Sequence, residues 1–418
     1  MNAVDGLGSQ ASGLVLPLLL LDLGHSPGTA GSLATATALS GVVLGPVVAV
    51  PADRGRRRLL MTGSAALAAL CTGVLALTCL GRPALWVVMA LALAERLCAV
   101  VYEAASRGAL VHLAATDELP RAAAGMQVGD QISLVVGPVL GGVLFQLARP
   151  LPFLADALSY AAAALGVRSI RTPLDPPAHA PEAAVRPGKT GDRGMRGMWS
   201  GRFGAMTAGV VTVARSPVLR LVLIWTSTAG GTLTLLFYTA LFRLGSDGHG
   251  HSDGAAVGAV LAASGAAGLL GALLAAPAVR RLGAGRLLTL AAWLLPVPCG
   301  SLVWADGAVG WGAAFAGISL LVPLITVVLA GVAVACTPVA LQSRTAGVFG
   351  SLSALAAAGA PALAAFMVTV GTARTPVLLC TVLFGALAVH TQVKAPGLLR
   401  SGAASAVSAE GTTGDGRG

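Results

Sequence analysis

Apolar residues run in long blocks along almost the whole chain, broken at charges and at Gly/Pro turns. A helix crosses a hydrocarbon core of about 30 Å with roughly 20 apolar residues. Against that ruler twelve segments stand out: 3–22, 29–51, 59–80, 84–106, 123–147 and 152–168, then 217–242, 254–279, 287–304, 309–336, 347–371 and 376–393. A Pro/Arg-rich stretch, 169–216, separates the two sets, and a polar Gly/Ala/Ser stretch follows residue 393. Neither carries a pattern that predicts a packed domain. The expected organisation is a six-helix bundle over 1–168, a cytoplasmic linker over 169–216, a second six-helix bundle over 217–393 and a disordered cytoplasmic tail over 394–418. This is an all-α membrane protein with twelve transmembrane helices in two pseudo-symmetric halves.

Composition strengthens this picture. The chain has 418 residues, 56% apolar and 11% charged, with a mean hydropathy of +0.82, whereas soluble domains are roughly 25% charged. The net charge of +10 does not gather on one soluble face, so nucleic acid is not an expected partner. Six cysteines lie scattered in apolar segments without metal or redox spacing and read as small packing residues.

Charge interrupts the blocks in a repeating way. "VPADRGRRRLL" at 50–60 follows the second segment, and a fainter copy, "APAVRRLGAGRLL" at 276–288, follows the second segment of the later set. Cytoplasmic loops retain Lys and Arg during insertion. With both termini inside, only Arg82, Arg149, Arg243 and Arg374 of the 27 basic residues fall on outer loops, and Arg96 alone lies deep within a span. The chain therefore reads as two repeats of six helices.

Asp53-Arg54-Gly55-Arg56-Arg57 between helices 2 and 3 of a six-plus-six arrangement resembles the major facilitator superfamily. "GPVLGG" at 137–142, with Gly137, Pro138, Gly141 and Gly142, is similar to the superfamily's helix 5 antiporter motif, found mostly in exporters. "GSQASGLVLPLL" (8–19), "DELPRAAAG" (117–125), "PFLADALSY" (152–160) and "TPVALQSRTAGVFG" (337–350) resemble the branch of multidrug and siderophore exporters, including enterobactin exporters. The loop motif is about one residue shorter than the superfamily's form, and Ala49 stands where Gly is usual. The leader carried by members of that branch is missing before the first helix, and translation is expected to begin upstream.

The resemblance implies a latch. Asp53 sits at the C-terminal end of helix 2, where the helix dipole disfavours an anion. It is expected to face the start of helix 11 near Thr345, whose unpaired N–H groups attract it. Arg54 and Arg56 would add salt bridges and attraction to anionic lipid, about 1 kcal/mol each. Along helix 5, Gly125, Gly129, Ser133, Gly137 and Gly141 recur every four residues and leave a face open to close helix approach. Smooth contacts of that kind between the halves suit rigid-body alternation about a midplane site.

Ionisable groups inside spans are costly and are functional hypotheses by default. The acids are confined to the first half, and in the second half only His390 lies well inside a span. Glu95 and Arg96 lie in helix 4, Asp130 in helix 5 and Asp156 in helix 6, while no acid lies inside a span of the second half. Arg96 resembles the helix 4 arginine of the superfamily's proton-relay motif, and Arg96, Asp130 and Glu95 are the expected proton-coupling groups. Adjacent residues point about 100° apart on a helix, so Asp130 is the better partner for Arg96 than Glu95. Asp156, near the start of helix 6, reads as a dipole partner, and Glu103 with Arg107 as an interfacial pair.

Gln10, Gln127, Gln131, Trp225, Phe237 and Tyr238 are candidates to line a substrate cavity by stacking and amide hydrogen bonds. "SDGHGHSD" at 246–253 reads as a flexible loop rather than a metal site. No GxxxxGK[ST], GxSxG or HExxH occurs, so neither direct ATP use nor enzymatic chemistry is expected, and no cofactor is implied. The expected function is secondary active efflux of an amphipathic small molecule, such as a drug, secondary metabolite or siderophore, in antiport with protons. It would act as a monomer in the cell membrane with lipids around it. A solute importer of the same fold and a non-transporting membrane sensor or scaffold are the alternatives.

Overall fold

The computed structural model describes residues 2–53, 57–113, 133, 136–137, 140–169, 209–244, 254–305, 307–337, 341–372 and 374–411. These residues are helices and short connections. In the first half they form α1 (Asn2–Asp22), α2 (Pro27–Asp53), α3 (Arg57–Thr78), α4 (Leu85–Leu113), α5 (140–147) and α6 (Leu151–Ser169). A short α7 (209–215) leads into α8 (Pro217–Leu244), α9 (Gly254–Leu282), α10 (Ala284–Leu294), α11 (Pro296–Ser301), α12 (Gly307–Ala335), α13 (Gln342–Ala358), α14 (Ala360–Val370) and α15 (Arg374–Gly411). Seven helices among the described residues are long and apolar enough to cross a membrane. Helical spans satisfy their own backbone groups, which hydrocarbon requires.

Local chemistry sets the ends. α1 is closed by Gly24 at φ 86°, with Gly24 N–H donating to Leu21 O and His25 N–H to Leu20 O, both at 2.9 Å. This is a left-handed cap that glycine adopts without a Cβ clash. α2 then starts at once, because Ser26 Oγ accepts from Thr29 N–H at 3.3 Å and Pro27 occupies the first helical position, where a missing N–H costs nothing.

Among the described residues, the helices depart from the expected segments at four places. The ninth is split into α10 and α11 at Leu295, where Pro296 follows and supplies no N–H. The eleventh is split into α13 and α14 at Gly359, with Pro361 just beyond. The linker is not wholly unpacked: α7 buries Val213 against Leu219 and Val348. Beyond residue 393 the chain stays helical to Gly411, in place of the expected disorder, as its Ala-rich composition allows.

The two halves repeat the same packing. α3 packs on α4 and α6, and its counterpart α10 packs on α12 and α15. α2 packs on α4 as α9 packs on α12, and α1 on α6 as α8 on α15. The seam between α1 and the helix 5 motif has its twin between α8 and α13. In the first, glycines lie on helix 5, where a methyl at Gly141 would sit 2.7 Å from Ala11 O. In the second, glycine lies on α8, where a methyl at Gly231 would sit 3.2 Å from Ala356 O. An offset of six spans thus maps one half onto the other.

The halves meet along α2 and the α13–α14 pair. A methyl at Gly31 would lie 2.6 Å from Pro361 O and 2.7 Å from Ala365 Cβ. One turn on, Thr35 Oγ1 accepts from Ala362 N–H at 3.0 Å, capping the first turn of α14 from the opposite half. The helix 5 stripe therefore plays a different part from the one expected. Its described glycines, Gly137 and Gly141, face α1 within their own half. Likewise the close approach on α9 is to α12, at Gly271 against Leu320 O, with Ser264 and Ser319 hydroxyls 2.6 Å apart.

Asp22 closes α1 and is almost buried, paired with Arg149 at 2.5 Å between α5 and α6. The pair offsets an anion placed at a helix C-terminus. Arg149→Ala leaves that carboxylate without its cation, a loss of about 1–3 kcal/mol. A lowered midpoint in thermal unfolding of the purified protein is the expected result, and Asp22→Asn in the Arg149→Ala background should restore part of it.

Candidate functional site

α4 separates its two adjacent charges onto different faces. Glu95 points toward α6, where the Tyr160 hydroxyl donates to Glu95 Oε1 at 2.7 Å. Arg96 points toward α2: a methyl at Gly41 would lie 3.0 Å from its Nη2. Arg96 Nη1 also lies 3.6 Å from Glu103 Oε1, two turns along α4. Both partners of that pair are partly exposed, so the pair is worth little in stability. Glu95 and Arg96 are thus not each other's partner, as their spacing on the helix predicts. Glu103, expected to pair with Arg107, engages Arg96; the Arg107 side chain is outside the described set.

The Glu95 side is a built polar cluster inside the first half. Tyr160 is 1% exposed, and its Oη lies 2.9 Å from Ser9 Oγ of α1. One turn earlier on α6, Asp156 is fully buried. Ser159 donates to Asp156 O at 2.8 Å, and its Oγ lies 3.5 Å from Asp156 Oδ1. α1 comes close here only because residue 8 is glycine: a methyl would lie 2.5 Å from both Asp156 Oδ1 and Ser159 Oγ. Asp156 is therefore not a first-turn dipole partner. α6 begins at Leu151, and the carboxyl lies in the second turn against another helix.

A small cavity adjoins Glu95. Ser12 and Leu16 of α1, Cys71 and Thr72 of α3, Ala92 of α4 and Phe153 of α6 line it. The Thr72 hydroxyl turns back to Ala68 O at 2.9 Å, whereas the buried Ser12 Oγ has no hydrogen-bond partner among the described residues. Buried hydroxyls left unpaired are uncommon and mark places where a further polar group fits.

Of the remaining expected site residues, Gln10 is exposed on α1, with its Cβ 2.5 Å from where a Gly137 methyl would lie. Gly142 is buried in α5. Phe237 and Tyr238 are half-buried on α8, their rings edge to face at 5.1 Å. Trp225 is 2% exposed, and its indole N–H donates to Thr391 Oγ1 of α15 at 2.7 Å. It lies on the inward stripe of α8 with Leu221, Val222 and Ala229, and packs the second half rather than lining an open cavity.

Thr345 lies in the first turn of α13, buried, with no partner for its Oγ1 among the described residues. α7 covers this end, since a methyl at Gly209 would lie 2.9 Å from Arg344 O. Asp53 closes α2, but its side chain lies outside the described set, as do Arg54 and Arg56. Gln127, Gly129, Asp130, Gln131, Pro138 and the 246–253 loop also lie outside it. The Glu95–Tyr160–Ser9 chain was missed in the sequence because nothing in local spacing relates residues 9, 95 and 160. The only signal was three polar residues in otherwise apolar spans.

The family model described as Major Facilitator Superfamily matches residues 1–361. No curated protein sequence matches. Among solved structures, the chain is similar to a bacterial homologue of the human lysosomal transporter Spinster in its inward-facing, occupied conformation. That match has a TM-score of 0.67 and 13% identity, over 96% of this chain and 95% of that one. The nucleoside transporter NupG matches at 0.61 and 12% identity, over 94% and 97%. A bacterial homologue of the iron transporter ferroportin, inward-facing, matches at 0.61 and 16% identity, over 92% and 96%. Likeness at these identities concerns the fold.

Proposed function

The chain belongs to the Major Facilitator Superfamily and is a multi-pass membrane transporter, and from that premise we propose that it exports an amphipathic small molecule in exchange for protons. The carrying observation is the Glu95 carboxyl, held inside the first half by Tyr160. A carboxyl at that depth is expensive unless it serves transport or proton movement. The "GPVLGG" segment supports the outward direction, with Gly137 and Gly141 set directly against α1. Drugs, secondary metabolites and siderophores are the substrate class, with Gln10, Phe237 and Tyr238 offering amide and aromatic contacts. Arg96 belongs to the coupling machinery through Glu103 and α2, and Asp130 remains part of the proposal. The protein acts as a monomer in the cell membrane with both termini in the cytoplasm, and no chemistry on the substrate is involved.

Alternating access follows from two similar halves meeting at α2 and α13–α14. In the proposed orientation, Gly31 and Thr35 lie toward the outside and the Asp53 end toward the cytoplasm. Closing the cytoplasmic side would then bring Asp53, with Arg54 and Arg56, to the first turn of α13 at Thr345. Cells expressing the protein should accumulate less ethidium than cells without it, and a protonophore should abolish the difference. Raised accumulation would indicate import, and no change would remove the transport reading for this class of probe. Asp53→Asn should cut efflux about tenfold or more, since one lost charge-assisted hydrogen bond is worth about 1.5–3 kcal/mol. Its membrane level should be unchanged, and normal efflux by that variant would rule out the latch.

A further inference from the structure

The hydrogen-bond chain across α1, α4 and α6 has a property that a simple buried acid lacks: its direction depends on whether Glu95 holds a proton. Tyr160 has one hydroxyl proton and lies within reach of two oxygens, Glu95 Oε1 at 2.7 Å and Ser9 Oγ at 2.9 Å. An ionised carboxylate only accepts. Tyr160 then donates to Glu95, and in its contact with Tyr160 the Ser9 hydroxyl is the donor. We propose that Tyr160 is a positioning residue that relays the protonation state of Glu95 to α1 by reversing this two-hydroxyl chain. The proposal rests on the proton-coupled reading above.

The step balances simply. One proton from the transport path forms an O–H bond on the Glu95 carboxylate, and no bond within the chain breaks. The acid can now donate to Tyr160 Oη, the Tyr160 hydroxyl turns to donate to Ser9 Oγ, and the Ser9 hydroxyl turns, with its proton kept, to donate to a carbonyl of its own helix. Hydroxyls turn back in this way elsewhere in the chain, as Ser40 does to Thr37 O and Ser64 to Leu60 O. α1 is the right receiver. Gly8 seats it against Asp156 and Ser159 with no room for a side chain, and its next residues, Gln10 and Ala11, form the wall met by Gly137 and Gly141. A proton event on α4 thereby reaches the helix that packs against the helix 5 motif.

Other titratable groups bear on Glu95. Cys71 of α3 shares its cavity, with Arg57 and Arg58 at the far end of that helix. α4 itself carries Arg96 and Glu103, and α6 carries Tyr160 and Asp156. α1 offers Asp22, at its opposite end in the pair with Arg149. α2 contributes no described titratable side chain.

Infrared difference spectroscopy on the purified full chain in nanodiscs, titrated with pH and without substrate, tests the relay. Glu95→Gln should remove one carboxyl C=O band. Tyr160→Phe should keep that band, raise its frequency and move its protonation midpoint upward by about one to two pH units, because the carboxylate loses a donor. Ser9→Ala should move the midpoint less, in the same direction, and transport of ethidium should shift its pH profile with the midpoint in each variant. An unmoved midpoint in Tyr160→Phe overturns the relay, even where ethidium efflux survives. Absence of any band lost in Glu95→Gln overturns it as well. Loss of ethidium transport in the unmodified protein, with the spectra as expected, would instead count against the exporter reading alone.

Discussion

Gly31→Val is expected to move the protein out of the conformation described here. The new side chain has no room: even a methyl would press on Pro361 O at 2.6 Å and on Ala365 Cβ at 2.7 Å. Both belong to the opposite half, so the strain is relieved by parting the halves rather than by repacking one of them. Overpacking costs about 1–3 kcal/mol, which is roughly a 5- to 150-fold change in a two-state equilibrium. The hydrogen bond from Ala362 N–H to Thr35 would be lost at the same time. Spin labels at Arg82 and Arg374, exposed in opposite halves, should report a longer mean distance in the variant. Thr35→Val, which keeps shape and removes the acceptor, should move the distribution in the same direction by less. An unchanged distribution in both variants would mean that this seam does not hold the halves together.

Gly141→Val should damage the first half itself. A methyl there would meet Ala11 O at 2.7 Å, Ala11 Cα at 2.9 Å and Ala11 C at 3.1 Å. These are backbone atoms, which cannot rotate aside as a side chain tip can. The cost lies at or above the roughly 1–3 kcal/mol typical of overpacking, and it falls on α1, which carries Gly8, Ser9 and Ser12. Most of the monodisperse protein in fluorescence-detected size exclusion should be lost, together with transport. Gly13→Val on the same helix is the control, since nothing lies within 4 Å of a methyl at that position. Equal loss in both variants would assign the effect to the glycine content of the spans and not to this seam.

The spans were legible because hydrophobic length is a local property. So was the repeat, since "VPADRGRRRLL" and "APAVRRLGAGRLL" mark the same place in each half. Glu95 and Arg96 were separable from helix geometry alone, and the structure places them on different faces of α4. What could not be read was partnership across the bundle. Residues 9 and 160 meet through the packing of α1 on α6, which no spacing encodes. A glycine stripe says that some helix comes close but not which one. For helix 5 the neighbour is α1, in the same half. An aromatic in a span suits a cavity and a core equally, so nothing in the sequence told that Trp225 is buried and bonded to Thr391.

The joint at Gly359, where the eleventh span is made of α13 and α14, bears on how such a molecule moves. A continuous rod transmits a tilt from one membrane face to the other, whereas a jointed one lets each piece follow its own neighbours. Both pieces pack on α2 and on α8, and α14 is in addition tied to α2 by the Thr35 hydrogen bond and the close contact at Gly31. Each piece can therefore change its tilt on its own stretch of the seam, so the two gates of a transporter built this way need not open and shut as a single lever.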